Sequence, residues 1–243
     1  MNAKLTLLTG VLALVLSSSL MAQTVGAELE VLNRRFLEVS SIAMNIDYRV
    51  FTDHSSSQPL EVKKGHYARS GDVEFNRMEQ VESLRSGKYT AVVDYQSTTL
   101  LVGNNYPSSD LTGTITGIDS ALLALGNVDR SETTNRVQYT VDFFQSAPID
   151  FDRIEVTVSK DKQAYESITM YYRNPLKINP NDPECMETKP RVEILFTDIQ
   201  IGQNLSDERL STLYYFSGEE GDFVPASRFS NYQFINQYIA ITP

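Results

Sequence analysis

Apolar residues at every second position dominate this chain. Met44, Ile46, Tyr48 and Val50 alternate with Asn45, Asp47 and Arg49, and Val137, Tyr139, Val141 and Phe143 alternate in the same way. Ile154, Val156 and Val158 do so against Glu155 and Thr157. A period of two buries one face of a strand and wets the other, so the chain must build a sheet with a covered side. Between residues 44 and 102 such runs recur about every dozen residues, which predicts an antiparallel meander rather than alternating βαβ units. Its strands carry Leu60 to Arg69, then Val73, Phe75, Arg77, Glu79 and Val81 on one face of a single strand, then Tyr89 to Tyr95, then Thr98 to Val102. Turns are expected at His54–Pro59, Gly71-Asp72, Ser86-Gly87 and Gly103–Asn105.

Two stretches break the alternation. Glu28 to Ser41 places Leu29, Leu32, Phe36 and Val39 at helical spacing, with Glu28 and Glu30 in the first turn, and predicts an amphipathic helix. One apolar stripe is not stable alone, so this helix must cover something apolar. Asp119 or Ser120 caps a short helix through Leu125, with Gly126 as its stop, after a loop at Asp110–Gly117. Later strands follow at Tyr165–Arg173 and Arg191–Ile201, separated by a long loop, 174–190, whose prolines block pairing. Ser206–Arg209 reads as a tight or single helical turn, and Phe229–Ile241 as a last strand. The fold expected is mainly β (α+β): a curved antiparallel half-barrel sheet of about ten strands. An N-terminal helix and a short helical insertion would lie on its concave face.

The charge and the rare residues exclude several functions. Thirty-one acids against 21 bases leave a net charge of −10, which repels nucleic acid and anionic lipid heads. One cysteine, Cys185, and two histidines, His54 and His66, are too few for a disulfide framework or a Cys/His zinc site. No cofactor is implied: the chain has no Gly-rich phosphate loop and no Gly-x-Ser-x-Gly elbow. Asp150 and Asp152 read as solvated charges; as the carboxylates of a hydrolase they form the weakest of three functional readings. Residues 1–22, with Lys4 before the apolar run Leu5–Leu16 and small residues up to Ala22, read as a signal peptide. Cleavage after Ala27 also fits. The rest, 23–243, is expected as one exported, soluble, β-rich domain of the bacterial periplasm, without an integral membrane span and without a lipidated N-terminal cysteine.

The order of helix, meander, helical insertion and late hairpins resembles the LolA/LolB-like lipoprotein-carrier fold. The likeness runs through Gly65-His66-Tyr67, Phe75-Asn76-Arg77 and Tyr89–Asp94, and again through Leu195–Ile199 and Ser206-Asp207. It covers most of residues 24–216. The Pro-rich loop 174–190 and the tail after Phe216 are extra. The resemblance implies a non-catalytic carrier that buries acyl chains in an apolar space between sheet and helices. Its walls would be Ile46, Tyr48, Phe75, Val93, Leu122, Leu123, Val156 and Tyr172, and Arg77 would latch a lid through loop carbonyls. The ligand would be a hydrophobic or acylated molecule, including a lipoprotein. The rival expectation is a structural or interaction protein of the cell envelope with a solid interior and an envelope protein as partner.

Overall fold

The computed structural model describes residues 23–104, 118–178, 187–219 and 221–238. The expected signal peptide 1–22, the loop Asp110–Gly117, and residues 179–186 of the Pro-rich loop, Cys185 among them, lie outside these residues. The chain is mainly β, with a large curved open sheet of twelve strands, a helix α1 at residues 23–38 and a short helix α2 at Ser120–Leu123.

The first six strands are β1 (Ser41–Phe51), β2 (Glu61–Ser70), β3 (Val73–Met78), β4 (Val81–Ser86), β5 (Tyr89–Asp94) and β6 (Thr99–Asn104). They are neighbours in sequence order, the expected meander. After α2 come β7 (Gly126–Glu132), β8 (Arg136–Phe143), β9 (Phe151–Ser159) and β10 (Ala164–Tyr172), again consecutive neighbours. β13 (Arg191–Ile201) lies between β1 and β10 in the sheet order. A last strand, β16 (Gln233–Gln237), joins β6 in parallel, so the sheet is not wholly antiparallel. Two-stranded ribbons, β11 (Leu176–Lys177) with β12 (Glu187–Thr188) and β14 (Phe216–Ser217) with β15 (Val224–Pro225), stand apart from it.

Three expectations are corrected. The strand drawn through Val73–Val81 is a hairpin, because Glu79 takes a left-handed conformation (φ 52°) and β3 turns back into β4. Gly126 does not merely stop a helix. It opens β7, where a Cβ would stand 2.6 Å from the Asp142 carbonyl oxygen of β8. The Pro-rich loop pairs briefly, through the ribbon at its two ends.

The contacts divide the chain into two compact units. Unit 1 comprises residues up to Leu37, Arg49–Val62 and Ser109–Leu195; unit 2 comprises Glu38–Tyr48, Lys63–Ser108 and Phe196–Pro243. Each has its own buried face and its own cover.

In unit 1 the strand registers place Val128, Val141 and Ile154 in one row and Tyr139, Val156, Ile168 and Ile194 in the next. All are buried. Across this face lies α1, burying Val25, Leu29, Asn33 and Phe36. That is a 3–4 spacing, so one helix face meets the sheet. Leu32 is only half-buried and Val39 lies beyond the helix, so the stripe sits slightly differently from the sequence-based one. In unit 2 the face of β2–β6 carries Ala68, Phe75, Leu84, Ala91, Val93, Leu100 and Val102. No α-helix among the described residues covers it. Tyr215, Phe216, Phe223 and Phe229, all from the tail, bury themselves there instead.

Candidate functional site

The two covered faces are the places where this chain could hold a ligand. The nine residues that the sequence nominated fall in both compact units. Leu122, Leu123, Val156 and Tyr172 belong to unit 1, and Ile46, Tyr48, Phe75, Arg77 and Val93 to unit 2.

The unit 1 wall is Val156, fully buried, with its neighbours across β8–β10. Polar bonds fix the helix to it. The Asn33 Oδ1 accepts from the Tyr165 hydroxyl at 2.5 Å in a buried setting. Glu28 Oε2 accepts from the Tyr139 hydroxyl at 2.6 Å and from Arg130 Nε at 3.0 Å. Burial, then the bond to Glu28, pushes the Tyr139 pKa up, and burial does the same to Tyr165, so both remain neutral donors. Leu123 is fully buried, while Leu122 is half-buried. Helix α2 is capped by Asp119, whose carboxylate accepts from the Leu122 amide at 2.9 Å. A groove of about 460 Å³ runs between α1 and α2, lined by Gly26, Asn33, Leu37 and Ser120 among others. Tyr172 is half-buried at the end of β10, its ring edge-on to Phe151, with its carbonyl bonded to His54 Nε2 at 3.0 Å.

In unit 2, Phe75 and Val93 lie at the centre of the buried cluster. Ile46 is buried and Tyr48 half-buried on β1. Arg77 bonds a carbonyl, that of Glu79 in the β3–β4 turn, and its guanidinium stands 5.4 Å from the Tyr95 ring. The same sheet row runs His66, Arg77, Glu82, Val93, Leu100. A charged group in a core row draws partners to itself. The Glu82 side chain is fully buried and its Oε1 accepts from the Tyr95 hydroxyl at 2.6 Å. Arg209 grips Asp207 through Nε and Nη2 and lays its guanidinium 4.4 Å from the centre of the Phe75 ring. His66 Nδ1 meets Asn45 Oδ1 at 2.9 Å, and Asn45 donates from Nδ2 to Asp198 at 2.8 Å. Asn45 thus offers only an acceptor to His66, which fixes the ring proton on Nδ1.

Outside these faces several charged groups pair, among them Arg153 with Asp142 at 2.6 Å. Asp152 accepts from Arg173 Nε at 3.1 Å, with Lys189 at 3.8 Å. Among the described residues no group of three or more His, Cys, Asp or Glu is placed to hold a metal ion, and no helix is long and apolar enough to cross a membrane.

The last strand expected in the tail is present as β16, whereas the burial of Tyr215, Phe216, Phe223 and Phe229 on the β2–β6 face was not expected. Eight aromatic residues fall between Tyr214 and Tyr238, and that density was the signal that the segment is buried rather than appended.

No family model matches this chain, and neither does any curated protein. Solved structures similar to it include a LolA superfamily protein from Nitrosomonas europaea, at 9% identity and a TM-score of 0.30 over 79% of this chain and 97% of that one. A DUF1329 family protein from Desulfovibrio piger is similar at 12% identity and a TM-score of 0.32, over 76% of this chain and 96% of that one. The Pseudomonas aeruginosa MucA/MucB complex is similar at 12% identity and a TM-score of 0.35, over 76% of this chain and 60% of that one.

Proposed function

We propose that this chain is an exported, non-catalytic binder or carrier of a hydrophobic or acylated ligand in the bacterial periplasm. The observation that carries the reading is the unit 1 wall: an extended aliphatic face closed by one amphipathic helix through a stripe of four residues. A binder that is empty in water must hide such a face. The stripe of α1 does this, and an acyl chain entering in its place gains about 0.8 kcal/mol per buried CH₂. Charge and composition agree with the reading, since the acidic surface stays off anionic membranes while the ligand is recognised by apolar contact.

The test is to purify residues 23–243 from an exporting host, extract and identify any bound lipid, and titrate an environment-sensitive acyl probe. Bound lipid or saturable probe fluorescence with a ligand-dependent rise in Tm supports the carrier. Absence of all three removes it.

A second reading is an envelope interaction protein. The complete burial of both faces by the chain's own side chains favours it, because a scaffold needs a filled interior. It requires a protein partner, to be sought by crosslinking in intact cells. The loop 174–190 and the tail are the contacts to delete.

A further inference from the structure

We propose that segment 205–232 of unit 2 is a displaceable cover over a second acyl-binding face, that of β2–β6. The inference rests on the carrier reading above and extends it to a site and an internal competitor.

Three observations on the same contact point this way. The face beneath the segment is built of small and aliphatic side chains, Ala68, Leu84, Ala91, Val93, Leu100 and Val102, with Phe75 among them. An acyl chain needs such a surface and no particular polar partner. The cover is irregular: three short 3-10 turns, Glu208–Leu210, Thr212–Tyr214 and Ser227–Phe229, and the ribbon β14–β15. The backbone hydrogen bonds described for residues 205–232 stay within the segment, and only from Gln233 onward does the backbone bond to the sheet, at Thr98 and β6. Among the described contacts side chains hold it down, chiefly aromatic rings and Arg209 on Phe75. Such segments are drawn from the low-stability end of a structure.

The seam is also incompletely satisfied. Glu82 Oε2 on the sheet and the Tyr215 hydroxyl on the cover are both buried and have no hydrogen-bond partner among the described residues. Unpaired buried polar atoms cost free energy in the closed state, so the closed state is less favoured than its aromatic contacts suggest. An acyl ligand ending in hydroxyl groups supplies the donor that Glu82 lacks. A monoacylglycerol has that chemistry and carries no charge for the acidic surface to repel.

The experiment uses the full chain and a monoacylglycerol, with binding measured by displacement of an acyl probe. The sequence has no Trp, so Phe229→Trp gives a single indole reporter in the cover. Binding should shift the emission of that indole to the red as the ring meets water. Hydrogen exchange on the unsubstituted chain should quicken in 205–232 and not in β3–β5. Arg209→Ala, which loosens the cover, should tighten apparent binding by roughly three- to tenfold, because a larger fraction of the protein is open. Binding with unchanged emission, unchanged exchange and no gain in Arg209→Ala overturns the displaceable cover and leaves the carrier reading standing. Failure of the ligand and the probe to bind overturns both.

Discussion

Single residues show where local preference yields to the fold. Thr98 sits at φ 50° in the turn before β6, a conformation that a β-branched side chain strongly disfavours. The turn holds because Asp94 accepts from the Gln96 and Ser97 amides at 2.8 and 3.1 Å, and the Thr98 carbonyl accepts from Gln233. Thr98→Gly keeps all of these backbone bonds and removes the strain. It should raise stability by about 0.5–1 kcal/mol in urea unfolding at unchanged m-value. His66 makes a different prediction. Burial, and secondarily the charge of Arg209, lowers its pKa below the usual ~6.5, against the opposing pull of Asp207. As pH falls through about 6.5 the unfolded chain therefore takes up a proton that folded His66 refuses. Stability is lost over that interval until the folded pKa is passed. His66→Asn can place an amide donor near the Nδ1 position and should flatten this part of the curve; a wild-type minus variant difference that is constant between about pH 7.5 and 5 would refute the assignment.

Among the elements, strands with strict alternation were legible from sequence and those set by tertiary contact were not. β8, β9 and β13 follow the apolar residues almost residue for residue, because one face meets a core and the other water. β7 was missed because Asn127, Asp129 and Arg130 carry no alternation; it exists by pairing with β8 and by the Arg130–Glu28 bond to α1. The stripe of α1 was misplaced because its centre is polar. Asn33 stands where a Leu would be expected, and its fitness depends on Tyr165, which sequence spacing alone could not locate. Asn33→Ala leaves the buried Tyr165 hydroxyl without its acceptor. The loss should be about 1–3 kcal/mol, whereas Arg34→Ala, which removes only an exposed bond to Glu30, should change stability by less than about 0.5 kcal/mol. Thermal unfolding of the two variants side by side checks this, and equal losses would mean that the Asn33–Tyr165 bond does not anchor the helix.

At the scale of the molecule, the sequence announced covered sheets and an N-terminal roof, and the wall residues it nominated are distributed over both compact units. Phe75 and Val156 both read as core from alternation, and nothing in the spacing says that they belong to different compact units. The tail decides the matter in unit 2: Tyr215, Phe216, Phe223 and Phe229 fill the face that the sequence reading had left for α1 or a ligand. Leu29 belongs to the core of unit 1 and Phe229 to that of unit 2, and their energies are expected to add. Leu29→Ala in α1 should cost about 2–5 kcal/mol and Phe229→Ala in the tail about 3–5 kcal/mol, each from lost burial plus the cavity left behind. The double variant should lose the sum to within about 0.5 kcal/mol, as independent sites do. Where the double variant is too unstable to measure, Leu29→Val with Phe229→Leu serves the same cycle. A coupling above about 1 kcal/mol of either sign would refute the additivity.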